Sequence, residues 1–230
     1  ENQNEFATIS HNIIDKNNRL KTIYGVIDEE RKININIASR ELLLALLEEF
    51  AVNAAQDIVN NILIWRGDIS DNDKIYEKLG YPCKADNFSN IEELTLVKDI
   101  TPNDYQKLRE SITTYGDGFV NINTVSFKTL TIFAHGIAKS LSIDENFADS
   151  VATKIIELRD RNGCFKEKNE IDIILTGEEE ENIFNKLMDS IIFKSDNFLI
   201  EATGNVVKIR GKISAVYNRK DKRILYWHES

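Results

Sequence analysis

The order of apolar and polar positions predicts strands near both ends of the chain and helices between them. Residues 21–27 are rich in β-branched and aromatic side chains, which is typical of a strand. Residues 206–217 alternate between apolar and polar positions, and residues 223–227 suit the returning strand of a hairpin. Residues 40–50 repeat leucines at helical spacing. This order predicts an α+β domain whose sheet is interrupted by a large helical insertion.

The first 20 residues carry apolar side chains at spacings that suit one face of a helix. These side chains are Phe6, Ile9, Ile13, Ile14 and Leu20. We expect an amphipathic helix with one buried stripe over this segment. Its asparagines lower the helix propensity, so packing against the rest of the protein would have to stabilise it.

One short stretch occurs twice along the chain. Residues 32–39, KININIAS, return as residues 120–126, VNINTVS. In each copy an Asn-Ile-Asn segment ends an extended run. A serine, Ser39 or Ser126, then stands where its side chain can cap the following helix. The stretch therefore predicts, at two places, a strand that leads directly into a helix.

Matches behind the two copies keep the same order. Arg66 and Arg159 are 159 − 66 = 93 residues apart, and Phe88 and Phe165 are 165 − 88 = 77 residues apart. The separation changes because loops differ in length, while the order of the features is kept. A duplicated helical unit accounts for this order.

The charge and the absence of catalytic motifs narrow the function. The formal net charge is −9, and a strongly acidic chain repels the phosphates of nucleic acids. The charge is uneven: from Phe198 onward there are seven basic and three acidic residues, 7 − 3 = +4, which leaves −9 − 4 = −13 for the rest. The sequence contains no glycine-rich phosphate loop, no Gly-x-Ser-x-Gly motif and no His-Glu-x-x-His motif. We expect a protein that is not an enzyme.

Three aspartates form the candidate metal site. Asp68, Asp71 and Asp73 lie in one acidic loop, and calcium prefers several oxygen ligands from a flexible loop. The spacing differs from that of an EF-hand, which has a central glycine and a closing glutamate. Two interpretations stay open: a solvated acidic loop and a calcium site. The acidic run of residues 178–181 is predicted to be the first turn of a helix in water, where the helix dipole favours it.

The two cysteines, Cys83 and Cys164, form no Cys-x-x-Cys pair, which excludes a cysteine-rich zinc site. Two hypotheses stay open for them. They are either ordinary buried thiols or, in an oxidising compartment, the two ends of one disulfide.

Part of the duplicated unit resembles the helix-hairpin-helix units of DNA-uptake proteins. The resemblance rests on residues 121–124 and 159–165. Such hairpins bind phosphate through a glycine-rich turn, and we expect the corresponding turns here at residues 48–52 and 134–137. The first has two glutamates and no glycine, and the second has one glycine. A competence-type DNA-binding protein is therefore the alternative hypothesis, which the negative charge disfavours.

The chain as a whole resembles the general secretion pathway protein K family, the large minor pseudopilins of type II secretion systems. Five segments carry the resemblance, in order along nearly the whole chain. They are residues 28–36 (DEERKININ), 64–68 (IWRGD), 88–97 (FSNIEELTLV), 114–124 (TYGDGFVNINT) and 224–229 (ILYWHE).

The resemblance implies a pseudopilin fold, in which an N-terminal helix and an antiparallel sheet carry a large inserted helical domain of two SAM-like, helix-hairpin-helix-like subdomains. The expected bounds are 1–32 for the pseudopilin helix and first strands, 33–118 and 119–195 for the two helical subdomains, and 196–230 for the strands that complete the sheet.

The resemblance also implies a function. Family members are structural subunits at the tip of the pseudopilus, where they act in assembly and protein export with the minor pseudopilins I and J. Secreted proteins are further expected partners, and nucleic acid is not. A hydrophobic N-terminal helix would anchor the protein at the periplasmic face of the bacterial inner membrane. Residues 1–20 would be the soluble second half of that helix.

Two site predictions become stronger in this family context. Calcium sites occur in the family, which favours Ca²⁺ at Asp68, Asp71 and Asp73. An oxidising periplasm makes a bridge between Cys83 and Cys164 possible, although the sequence leaves their pairing open.

Overall fold

A computed structural model describes residues 5–14, 20–206 and 209–230 of the chain. Contacts divide the chain into two units, which we name by their content. The sheet unit consists of residues 1–30 and 195–230, and the helical unit consists of residues 31–194. The family resemblance implied that the two junctions follow residues 32 and 195.

The sheet unit is an antiparallel sheet. Its strands are β1 (Glu5–Ile14), β2 (Leu20–Tyr24), β3 (Ile27–Asp28), β8 (Asn197–Val206), β9 (Ile209–Asn218) and β10 (Arg223–Glu229). Their order is β10-β9-β8-β1-β2, and the short β3 also pairs with β8. The alternation after residue 206 therefore predicted β9 correctly, and its partner strand β10 follows the expected turn.

The predicted N-terminal helix is wrong where the structure can test it, because residues 5–14 form β1. Residues 5–9 pair with β8, and residues 10–14 pair with β2. Four of the ten residues in this segment are β-branched, and such residues have poor helix propensity. Pairing with strands on both sides then decided the conformation. For residues 5–14, the interpretation as the second half of a membrane helix is therefore wrong as well. The other residues of that prediction, 1–4 and 15–19, lie outside the described residues.

The helical unit contains seven α-helices among the described residues. They are α1 (Arg40–Glu49), α2 (Ala55–Arg66), α3 (Ile75–Lys78), α4 (Pro102–Leu108), α5 (Phe127–Leu141), α6 (Glu145–Asn162) and α7 (Glu178–Met188). Short 3-10 helices cover Ile91–Leu96 and Lys168–Glu170 in this unit, and a third spans Glu29–Arg31. Two short parallel pairs complete it: β4 (Ile33–Asn34) with β5 (Ile112–Thr113), and β6 (Val120–Asn121) with β7 (Ile191–Ile192).

Side-chain caps start the helices where the sequence predicts them. Ser39 accepts a hydrogen bond from the backbone of Leu42, and Ser126 accepts one from Thr129. Such caps satisfy backbone N–H groups that have no partner within the helix. In the part of the chain that the structure describes, no helix combines the length and the apolar character needed to span a bilayer.

The core of the helical unit runs through both halves of the duplicated sequence. Ile33 and its counterpart Val120 are both fully buried. Helix α1 packs directly on α5, where a Cβ atom at Gly136 would lie 2.9 Å from the Cα of Leu42. Glycine therefore permits the close crossing of the two helices.

Candidate functional site

The two Asn-Ile-Asn segments make the same hydrogen bonds in each half of the helical unit. The Nδ2 of Asn36 donates to the backbone oxygen of Phe88 at 2.9 Å, and the amide of Phe88 donates to Asn36 Oδ1 at 2.7 Å. Asn123 repeats both bonds with Phe165, at 2.8 Å and 2.7 Å. Each asparagine thus closes a two-bond ring with a backbone segment far along the chain, in the manner of a strand partner.

An arginine, buried Arg66 or half-buried Arg159, binds the other side of each segment. Nη1 of Arg66 donates to the backbone oxygens of Ile35 at 2.7 Å and Ala38 at 3.0 Å. Nη1 of Arg159 donates to the equivalent oxygens of Ile122 and Val125, at 3.0 Å and 2.7 Å. Burial lowers the pKa of Arg159 from its usual value. The guanidinium satisfies carbonyls that have left the strand ladder and have not entered the helix.

The same residues that align in the sequence therefore occupy the same structural positions. Asn36 matches Asn123, Arg66 matches Arg159 and Phe88 matches Phe165, each with equivalent bonds. The predicted duplication of the helical unit is confirmed by these contacts. We call each set of asparagine, arginine and phenylalanine a junction clamp.

The predicted position of the second hairpin turn is wrong. Residues 134–137 lie inside α5, and the turn into α6 is formed by residues 142–144. The first turn lies between α1 and α2, as predicted, and Ala51 there has a φ of 49°. Ser142 occupies the equivalent position with a φ of 57°. The lone glycine had suggested a turn, but its role is in helix packing, and neither turn contains a glycine.

Carboxylates concentrate at these turns. Glu48 lies 2.7 Å from the Nζ of Lys139, and Glu145 lies 2.5 Å from the same nitrogen. Glu49 lies 3.2 Å from the Nζ of Lys128. The lysines are therefore neutralised by ion pairs within the unit. A turn without glycine and with this charge is unsuited to a phosphate group.

Two of the three candidate calcium ligands, Asp68 and Asp71, bind other groups of the protein. Asp68 is bound by Arg66, through Nε at 3.0 Å and through Nη2. Asp71 accepts hydrogen bonds from the amides of Ile75 and Tyr76 at the start of α3, at 2.8 Å and 3.3 Å. Among the described residues, no three His, Cys, Asp or Glu side chains are grouped to hold a metal ion. As arranged, the three carboxylates do not fit a calcium site, and calcium binding stays a prediction.

The two cysteines are free thiols in the structure. Cys83 is half-buried, and its Sγ lies 3.4 Å from the backbone oxygen of Ile64. Burial raises its pKa, which keeps the thiol protonated and unreactive. Cys164 is exposed after the end of α6. The structure does not contain the disulfide that the family resemblance made possible.

The acidic start of α7 is only partly in water, contrary to the prediction. Glu178, Glu179 and Glu181 are exposed, whereas Glu180 is 2% exposed. Its Oε2 lies 2.6 Å from the Nζ of Lys154 and accepts from the amide of Thr176 at 2.6 Å. Since Lys154 is on α6, this carboxylate joins α6 to the start of α7.

Residues 28–30 contain a second group of buried carboxylates, which was not among the site residues predicted from the sequence. Asp28 and Glu30 are each 7% exposed. Glu30 accepts from the Nδ2 of Asn197 at 2.9 Å, and Asp28 accepts from the hydroxyl of Ser195 at 2.6 Å. These bonds join residues 28–30, at the end of β3 and just after it, to residues 195–197, just before β8 and at its start. The sequence signal that could have identified them is the acidic start of residues 28–36, one of the five segments that carry the family resemblance.

An apolar cleft of about 350 Å³ lies between the two halves of the helical unit. Apolar side chains of Ile37, Leu42, Phe133 and Ile137 line it, together with three serines, one asparagine, one lysine and one glutamate. Its apolar side chains can contact an apolar segment of another protein.

Replacing the junction asparagine should destabilise the helical unit. Asn123→Ala removes both hydrogen bonds between the Asn123 side chain and the backbone of Phe165. We therefore expect a loss of about 2–4 kcal/mol in the free energy of unfolding. Chemical denaturation measures this loss. Asn185→Ala, at an exposed position on α7, is the matched control and should change the free energy by less than about 0.5 kcal/mol. Equal losses in the two variants would contradict the role of the clamp.

Glu180 should make stability depend on acid pH. Burial alone would raise its pKa, but hydrogen bonds from Lys154, Ser150 and Thr176 outweigh burial and lower the pKa from 4.5 to about 2. The folded state therefore binds this proton less readily than the unfolded state. The stabilisation is complete above pH 4.5 and is lost as the pH falls towards 2.

Glu180→Gln tests this linkage. We expect the variant to lose about 2–3 kcal/mol at pH 7 and to lose the matching part of its acid dependence. Denaturation at a series of pH values measures both quantities, with the exposed Glu179→Gln as control. An unchanged acid slope in Glu180→Gln would show that another group is responsible.

The calcium prediction is tested by melting. A ligand that binds only the folded state must stabilise it, so calcium binding requires a higher Tm with millimolar Ca²⁺ than with a chelator. Asp73→Asn should then remove the difference. A Tm that is the same in calcium and in chelator would rule out the site.

Comparison with known proteins identifies a solved structure of similar fold. No protein-family model and no curated protein matches the chain. Among solved structures, a similar chain is found in the crystal structure of the GspK-GspI-GspJ complex from the enterotoxigenic Escherichia coli type 2 secretion system. The TM-score is 0.67 at 14% sequence identity, and the match covers 89% of this chain and 78% of that chain. The α+β class predicted from the sequence is confirmed, and the chain has the fold of a component of that pseudopilin complex.

Proposed function

We propose that the chain is a structural subunit of a type II secretion pseudopilus and acts in its assembly and in protein export. The observation that carries the proposal is the fold similarity over 89% of the chain to a component of the GspK-GspI-GspJ complex. The five sequence segments that resemble the protein K family support the same assignment independently. The role is structural and not enzymatic.

The alternative, a helix-hairpin-helix DNA-binding protein, has less support. The duplicated unit does contain two helical hairpins. Their turns contain no glycine, and Glu48 and Glu145 lie there in ion pairs with Lys139. A net charge of −9 adds long-range repulsion of phosphate.

The proposed partners are the minor pseudopilins I and J of the same secretion system. The similar structure is a complex of three such proteins, which supports this choice. The proposed location is the periplasmic face of the inner membrane, with a hydrophobic helix on the N-terminal side of Glu1 as the anchor. Secreted proteins are proposed as further partners, and the apolar cleft between the halves of the helical unit is a surface that could receive them.

Co-expression tests the proposal. We expect the chain to co-purify with pseudopilins I and J of its own system and to elute with them as one species in size-exclusion chromatography. Pseudopilins I and J of a distant system are the matched control and should not associate. Failure to associate with the cognate pair, or tight binding of duplex DNA in a mobility shift at low salt, would contradict the proposal.

A further inference from the structure

The hairpin between β9 and β10 has a strongly basic turn. Residues 219–223 contain four basic residues and one aspartate, 4 − 1 = +3, in a chain whose net charge is −9. Arg219 lies 3.0 Å from Asp196, and Arg223 lies 3.2 Å from Asp221. Lys220 and Lys222 are exposed at the turn.

Directly after the basic turn, strand β10 carries three large apolar side chains that are exposed. Ile224 is 54% exposed, Leu225 is 41% exposed and Trp227 is 52% exposed. Single exposed apolar residues are ordinary on protein surfaces. Three within four residues, next to a basic turn, are a local concentration of exposed apolar side chains, and such concentrations usually mark an interaction site. We call residues 219–227 the hairpin patch.

The strand is not suited to extending the sheet with a partner strand. β10 stands at the end of the strand order in the described sheet. A register shift between Ile224 and Tyr226 interrupts its pairing with β9. Such a bulge bends and twists an edge strand, and basic residues beside it oppose edge-to-edge pairing. The side chains of the patch are therefore better suited to binding than its backbone.

We propose that the hairpin patch docks on the surface of an anionic lipid bilayer. Its basic turn is complementary in charge to acidic headgroups, and each Lys or Arg close to such a surface adds to the attraction. Trp227, with the half-buried Tyr226 beside it, has the aromatic character that is enriched at the membrane–water interface. The remainder of the chain has a net charge of −9 − 3 = −12 and is repelled by such headgroups, which favours contact through the patch. This inference goes beyond the proposed function and does not depend on it.

The two tryptophans make the contact directly measurable. Trp65 is 4% exposed and Trp227 is 52% exposed, so a shift of the tryptophan emission on adding vesicles reports Trp227. We expect a blue shift with vesicles of three parts phosphatidylcholine to one part phosphatidylglycerol, and none with phosphatidylcholine alone. Added salt should reverse the shift, because it screens surface charge. Trp227→Phe should abolish the shift without preventing co-sedimentation.

Removal of the two exposed lysines tests the source of the attraction. Lys220→Gln with Lys222→Gln should lower partitioning into the anionic vesicles roughly 30-fold, since each lysine near the surface contributes a factor of about five. Lys78→Gln with Lys166→Gln changes the charge by the same amount at exposed positions of the helical unit. That control should bind as the unchanged protein does.

Three outcomes would overturn the inference. They are no co-sedimentation with anionic vesicles, equal binding to both kinds of vesicle, and equal loss in the two double variants. If the hairpin variant instead loses association with pseudopilins I and J while the unchanged chain binds no vesicles, the patch is a protein interface. Vesicle binding without association with those pseudopilins would leave this inference standing and contradict only the proposed function.

Discussion

The helical unit depends on how it satisfies the backbone where a strand becomes a helix. At that point carbonyl and amide groups belong to neither ladder, and burying them without partners would cost free energy. The junction clamps solve this problem twice with the same chemistry. Asn36 and Asn123 pair with a distant backbone segment, and Arg66 and Arg159 bind the free carbonyls from the other side. Each clamp therefore holds together parts of the chain that are far apart in sequence.

The two units differ in how their charged side chains are distributed. The helical unit uses its carboxylates internally, as caps and in ion pairs such as that of Glu180 with Lys154. The last strands of the sheet unit carry an excess of basic residues instead. This division of charge is what supports the proposed docking of the hairpin patch on an anionic surface. The hairpin turns lack glycine and carry glutamates, which distinguishes this duplicated unit from helix-hairpin-helix units that bind phosphate.

Sequence reasoning succeeded where the signal was local or repeated. Local signals predicted the serine caps, the helix after Ser39 and the alternation of β9, because each depends on residues close together in the sequence. The repeated signal predicted the duplication, because matching residues recur in the same order. Sequence reasoning failed where a segment had more than one acceptable local conformation. Residues 5–14 satisfy an amphipathic helix pattern, yet they pair with strands on both sides. Gly136 was placed in a turn because glycine is common there, and its position in α5 follows from the approach of Leu42.

The sequence by itself determined the α+β class, the duplication and the acidic character, since these depend on periodicity, order and composition. Only the tertiary structure decided which polar groups are buried. Glu180 and Glu30 look like solvated surface charges in the sequence, but long-range packing removes them from water and supplies their partners. The same holds for the Asp68, Asp71 and Asp73 loop, where Arg66 and the start of α3 occupy carboxylates that the sequence alone left free to converge. Burial depends on what the rest of the chain brings to a residue, and a local pattern does not contain that information.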